Sequence, residues 1–203
     1  MNPVVLVHGF LDTWYTPWWK KLGRHAQDAC LLPDMIRFVD KGSVPGLTVG
    51  SPEEYAELVR AEVEKAYDEH DSRVNVVGHS MGGLDARVYI EEMGGKELVD
   101  SLVTLGTPHQ GTLTSWLASF TPGGRALRMS SDLIKRRPTS VVDDVEYVSV
   151  WSPGDTLVKP TKNARMRRDD KENVTNLKVG SLGHLELTKS RSVFSRYADR
   201  LCE

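Results

Sequence analysis

Short, largely unbroken apolar runs set between stretches of helical spacing constrain this chain more than any other feature. The runs Val4–Val7 (VVLV), Val74–Val77 (VNVV), Leu102–Leu105 (LVTL) and Tyr147–Trp151 (YVSVW) lack the strict alternation of a half-exposed strand. Strands of that kind are covered on both faces, which is the situation in a parallel sheet. Two weaker runs, Cys30–Leu32 and Leu177–Val179, complete six predicted strands. Between them Ser51-Pro52-x-Glu54 forms a capping box, followed by an apolar stripe at Tyr55, Leu58, Val59, Val63, Ala66 and Tyr67. A second helix is predicted to follow Ser80 and stop at Gly94-Gly95, and a third to run from about Lys189 to Leu201. The expectation is an α/β fold with a six-stranded, mostly parallel sheet and helices on both faces. All of residues 1–203 read as a single domain, and sites in such sheets lie beyond the C-terminal strand ends.

One of those ends reads VVGHSMGG, residues 76–83. A serine on a sharp strand-to-helix turn has its Oγ exposed, and small residues two before and two after it relieve crowding. Gly78 and Gly82 occupy those positions, giving G-x-S-x-G around Ser80. The turn also aims a helix N-terminus at the reacting carbonyl, which makes the Met81 N–H a candidate oxyanion donor. A second donor belongs on the loop after the first strand, where His8-Gly9-Phe10 offers the Phe10 N–H. His8 is expected to hold that loop by hydrogen bonding.

A serine hydroxyl needs a base. Of six histidines only His109 and His184 follow Ser80, and the order Ser…Asp/Glu…His favours His184, after the last strand and two glycines. Asp155, in the Ser-Pro-Gly-Asp turn beyond Trp151, is the candidate acid. Asp143 and Asp144 precede that strand, and Asp169 and Asp170 sit in a charged run.

With these residues placed, the chain resembles the α/β-hydrolase lipases and esterases, especially compact bacterial triacylglycerol lipases. VVLVHGF, VVGHSMGG, TLGTPHQGT, SPGDTLVKP and GSLGHLEL occur in family order over nearly the whole chain. The resemblance implies a minimal α/β-hydrolase using Ser80, Asp155 and His184, with Phe10 and Met81 at the oxyanion hole. It also implies a site-lining role for His109. The implied activity is acyl-ester hydrolysis through an acyl-enzyme. The same triad serves thioesterases and acyltransferases, and a catalytically silent lipid-binding scaffold is a further alternative.

Expectations for the substrate rest on two apolar segments. WYTPWW, residues 14–19, either lines an acyl channel or fills the core, with Trp14 as the candidate contact and Trp18 or Trp19 as core. Residues 110–138 carry Leu113, Trp116, Leu117 and Phe120, then a basic stretch. They read as a lid meeting an anionic surface or as an ordinary crossover. Trp116 and Leu157 are the further candidate contacts. The expected partner is a small-molecule or lipid acyl ester, with transient membrane-surface contact. The net charge of −2 gives no reason to expect nucleic acid, and no cofactor or metal motif occurs. Cys30 and Cys202 are expected to be free thiols, and the absence of an export signal leads to a cytoplasmic expectation.

Overall fold

A computed structural model describes residues 1–42, 44–168 and 170–202. Its six strands are β1 (Val4–Val7), β2 (Ile36–Phe38), β3 (Val74–His79), β4 (Val99–Leu105), β5 (Glu146–Trp151) and β6 (Val174–Lys178). They form one sheet in the order β2-β1-β3-β4-β5-β6, and every pairing is parallel. Along β1, Val5 and Val7 enter one core and Val4 and Leu6 the other; Val76 and Val77 on β3 divide in the same way. This two-sided burial explains why the apolar runs are nearly continuous.

The helices are α1 (Pro17–Ala29), α2 (Pro52–His70), α3 (Met81–Glu92), α4 (Pro122–Ala126), α5 (Asp132–Arg136), α6 (Glu186–Lys189), α7 (Arg191–Phe194) and α8 (Asp199–Cys202). α2 starts with the expected capping box, Ser51 and Glu54 each bonding the other's backbone N–H. It buries Ala56, Val59, Val63 and Ala66 on the α3 side of the sheet. Burial stabilises the fold by roughly 1.5–3 kcal/mol per valine. α1 and the C-terminal helices cover the opposite face through Trp19, Leu22, Val193, Tyr197 and Leu201.

Three sequence expectations are corrected. Cys30–Leu32 is not a strand. Cys30 caps α1 by donating its N–H to Ala26 O, Pro33 opens a 3-10 turn, and the edge strand starts only at Ile36. The helix expected over 189–201 is broken into α6, α7 and α8. Ser190 accepts from the Val193 N–H and Ser195 donates to Ser192 O, local bonds that compete with a continuous helix. Cys30 and Cys202 are joined in a disulfide. They meet because the end of α1 and the C-terminal helix pack on the same sheet face, a proximity across 172 residues that spacing does not encode.

Candidate active site

β3 ends at His79 and α3 begins at Met81, leaving Ser80 alone on the turn with φ 56° and ψ −127°. That left-handed backbone is costly for a non-glycine residue and persists only where its surroundings enforce it. The glycines show how they do so. A Cβ at Gly78 would lie 2.6 Å from Gly83 Cα, and one at Gly82 only 2.3 Å from Val7 O. Gly82 is therefore required chiefly by close approach of α3 to β1, more than by crowding against Gly78.

The candidate acid and base meet as expected. His184 Nδ1 donates to Asp155 Oδ2 at 2.7 Å, and Asp155 Oδ1 accepts the N–H groups of Leu157 and Val158 at 2.8 and 2.9 Å. Burial raises the Asp155 carboxyl, but His184 and these amides outweigh it and leave it below the usual carboxylate range. The base loop is fixed from two sides. Ser152, from the Ser-Pro-Gly-Asp turn, accepts the Leu182 N–H at 2.8 Å, and His79 Nε2 donates to His184 O at 3.2 Å. The His79 ring also packs against the His184 ring, tilted by 45° with 4.6 Å between centroids. Burial, and secondarily the charge of His184, lowers His79 to about 3 and keeps it neutral.

Ser80 and His184 line one cleft of about 250 Å³. His184 Nε2 is buried with no hydrogen-bond partner among the described residues. No hydrogen bond joins it to Ser80. The loop after β1 lies against the serine, since a Cβ at Gly9 would come within 2.8 Å of Ser80 Cβ. Among the described residues, neither the Phe10 nor the Met81 N–H is committed to an acceptor.

Of the candidate substrate contacts, Leu157 lines the cleft, together with Leu117, Leu127 and Val158. The other three do not. Trp14 packs against Phe38 and borders a shallow surface hollow beside β2. Trp116 is 69% exposed, outside the cleft although its neighbours Ser115 and Leu117 line it. His109 is buried behind the cleft, where Arg87 and Thr104 occupy its two ring nitrogens at 3.2 and 3.0 Å. Trp19 is core, as expected, and both Trp18 and Trp19 donate their indole N–H to Asp12 Oδ2 at 2.9 Å. Asp12 itself borders the cleft, and spacing gave no signal of that double acceptor role. Asp169 lies outside the described residues. Among them, no group of His, Cys, Asp and Glu is placed to hold a metal ion.

The parallel sheet, the strained strand-to-helix serine turn and the carboxylate–imidazole pair beyond the strand ends are arranged as in an α/β-hydrolase fold. The chain belongs to the palmitoyl protein thioesterase family, whose model matches residues 3–139. It is 33% identical over 98 residues to triacylglycerol lipase 2 of Saccharomyces cerevisiae, a match covering 45% of this chain and 29% of that one. A triacylglycerol lipase of Pseudarthrobacter phenanthrenivorans is 35% identical over 94 residues, covering 45% and 24%. The match thus spans less than a third of either curated relative. In fold, the mature Bacillus licheniformis lipase BlEst2 superposes with a TM-score of 0.77 at 19% identity, covering 98% of this chain and 91% of that one. Aspergillus fumigatus lipase B gives 0.83 at 18%, covering 100% and 52%.

Proposed function

We propose that the protein hydrolyses acyl esters with Ser80 as nucleophile. The observation that carries this reading is the 2.7 Å Asp155–His184 bond, which leaves a bare Nε2 in the cleft that Ser80 lines. With its proton on Nδ1 held by Asp155, the imidazole presents a lone pair from Nε2. That nitrogen takes the Ser80 proton as Oγ attacks the acyl carbonyl, and the oxyanion accepts from the Phe10 and Met81 N–H groups. His184 returns the proton to the departing alcohol. Water, deprotonated by the same nitrogen, then releases the acid and restores Ser80.

The cleft is lined mainly by apolar groups, which suits an acyl chain. The end of a longer acyl chain would lie over the exposed rim of the cleft. Around that rim Leu113, Trp116, Leu117 and Phe120 are 60–81% exposed, with Arg125 and Arg128 exposed nearby. Apolar side chains flanked by cations fit transient contact with an anionic lipid surface, from which the substrate would enter. The disulfide supports an oxidising compartment in place of the cytoplasm.

A second reading, thioester hydrolysis by the same residues, is favoured by the family match. Octanoyl and palmitoyl groups, each offered as oxygen ester and thioester, separate these cases. The expected result is turnover of octanoyl esters, lost in Ser80→Ala together with covalent labelling by a fluorophosphonate. Unchanged turnover in Ser80→Ala refutes the proposal.

A further inference from the structure

Beneath the oxyanion loop lies an ion pair that the proton transfers above do not use. Lys41 Nζ stands 2.7 Å from Asp85 Oδ2, both side chains fully buried, and also donates to the carbonyl of His8. The Lys41 backbone N–H donates to His8 Nε2 at 3.4 Å, so His8 carries its proton on Nδ1, which reaches Gly9 O at 3.2 Å. Burial, and then the charge of Lys41, lowers His8 to about 3 and keeps this tautomer neutral. Two successive loop carbonyls therefore end on Lys41, one directly and one through His8. The segment behind Lys41 adds further bonds, Leu11 N–H to Thr48 O at 3.2 Å and Gly46 N–H to Leu11 O at 3.1 Å.

The other end of the ion pair is on α3. Asp85 sits one helical turn beyond Met81, on the helix whose first N–H faces the serine turn. Lys41 thus joins the element carrying one oxyanion donor to the element carrying the other. A planar trans peptide holds its C=O and following N–H antiparallel, so fixing Gly9 O fixes the direction of the Phe10 N–H. Stability alone does not account for the pair, because a buried ion pair is often no more stabilising than apolar residues of similar volume. Asp85 Oδ1 also has no hydrogen-bond partner among the described residues, so the pair is not a saturated structural network. We infer that Lys41 is a positioning residue, which through His8 and Asp85 sets the spacing and aim of the Phe10 and Met81 amides. This inference rests on the serine-hydrolase reading.

The test compares wild type with Lys41→Met, Lys41→Met/Asp85→Leu and His8→Leu. It measures the thermal midpoint, kcat and KM on p-nitrophenyl butyrate, and inhibition by an alkylboronic acid whose tetrahedral adduct needs both amides. Lys41→Met strands a buried carboxylate and loses stability. The double variant removes that charge and regains the midpoint, yet its kcat stays about ten- to a hundredfold below wild type with KM nearly unchanged. Its boronate affinity falls by the same factor as kcat/KM. His8→Leu leaves the ion pair intact and shows the same kcat loss at near-wild-type stability. Wild-type kcat in a folded double variant, or in His8→Leu, overturns the inference. A wild type that neither turns over esters nor takes up a fluorophosphonate refutes the serine-hydrolase reading instead, before any variant is compared.

Discussion

The two walls of the cleft are built on different principles. The inner wall, formed by the ends of β1 and β3 and the first turn of α3, is held by backbone contacts too close for a single added carbon. The outer wall, residues 112–127, is a 3-10 turn at Leu113–Ala118 followed by the short α4 (Pro122–Ala126), with Phe120 81% exposed. In the proposed reaction the nucleophile and the two oxyanion donors, whose positions must be held within a fraction of an ångström, sit on the inner wall. In the same proposal the outer wall would meet the acyl chain, where shape matters more than aim. Changes on the first should abolish turnover, and changes on the second should redirect it.

The sharpest contrast comes from the group that orients the base. Asp155→Asn keeps the size of the side chain but favours the wrong imidazole tautomer, and kcat should fall by about 10⁴-fold. A steady-state assay on p-nitrophenyl butyrate decides this, and a loss below tenfold would assign Asp155 to turn structure alone. Next comes Gly82→Ala. Its methyl carbon, 2.3 Å from Val7 O, must push α3 away from β1 and carry the Met81 amide with it. A loss of about 10²–10³-fold in kcat/KM is expected, together with a lowered thermal midpoint. Wild-type values would show the inner wall to be compliant.

The same division explains what the sequence made legible. Ser80, Gly78 and Gly82 were readable because a strained turn and close backbone approach demand those residue types locally. Asp155 and His184 followed from chain order and from the turns that carry them. The misses are side chains whose environment is assembled from distant segments. His109 looked free to line the cleft, yet Arg87 on α3 and Thr104 on β4 take both its nitrogens. Trp14 shared a run with Trp18 and Trp19, but Asp12 gathers the last two and leaves Trp14 on Phe38. β2 was missed because an edge strand of three half-buried residues carries little apolar signal.

Acid should expose the inner wall's dependence on neutral imidazoles. His8 and His79 are lowered to about 3, burial being the largest cause for each, and burial also places His109 well below its ordinary value. Unfolded histidines bind protons near pH 6.5, so between about pH 6.5 and 3 the unfolded chain takes up protons that the fold refuses, and stability falls with pH. Asp85 acts oppositely: burial raises it to about 6, so from there down to about 3.8 the fold gains the proton first. Three histidines against one aspartate leave a net loss, each uncompensated proton weighing about 1.4 kcal/mol per pH unit. Thermal midpoints at pH 7.5, 6 and 5 should fall in that order. A flat profile would mean that these histidines are protonated in the fold.

The smallest effect on the fold is expected at the outer wall, where the comparison is most open to failure. Trp116 and Phe120 are 69% and 81% exposed, so Trp116→Ser and Phe120→Ser remove little packing, and stability should move by less than about 0.5 kcal/mol. A monomeric short-chain ester reaches Ser80 without either side chain, and its kcat/KM should be unchanged. A medium-chain ester presented in anionic vesicles must first bring the protein to the lipid, where Trp and Phe contribute most at a half-wet boundary. Turnover there should fall severalfold, and more steeply in the double variant, with added salt weakening the remaining binding through Arg125 and Arg128. Equal losses on the dissolved and vesicle-borne substrates would instead make these side chains part of the cleft's packing, and the division between an aiming wall and a receiving wall would fail at the receiving side.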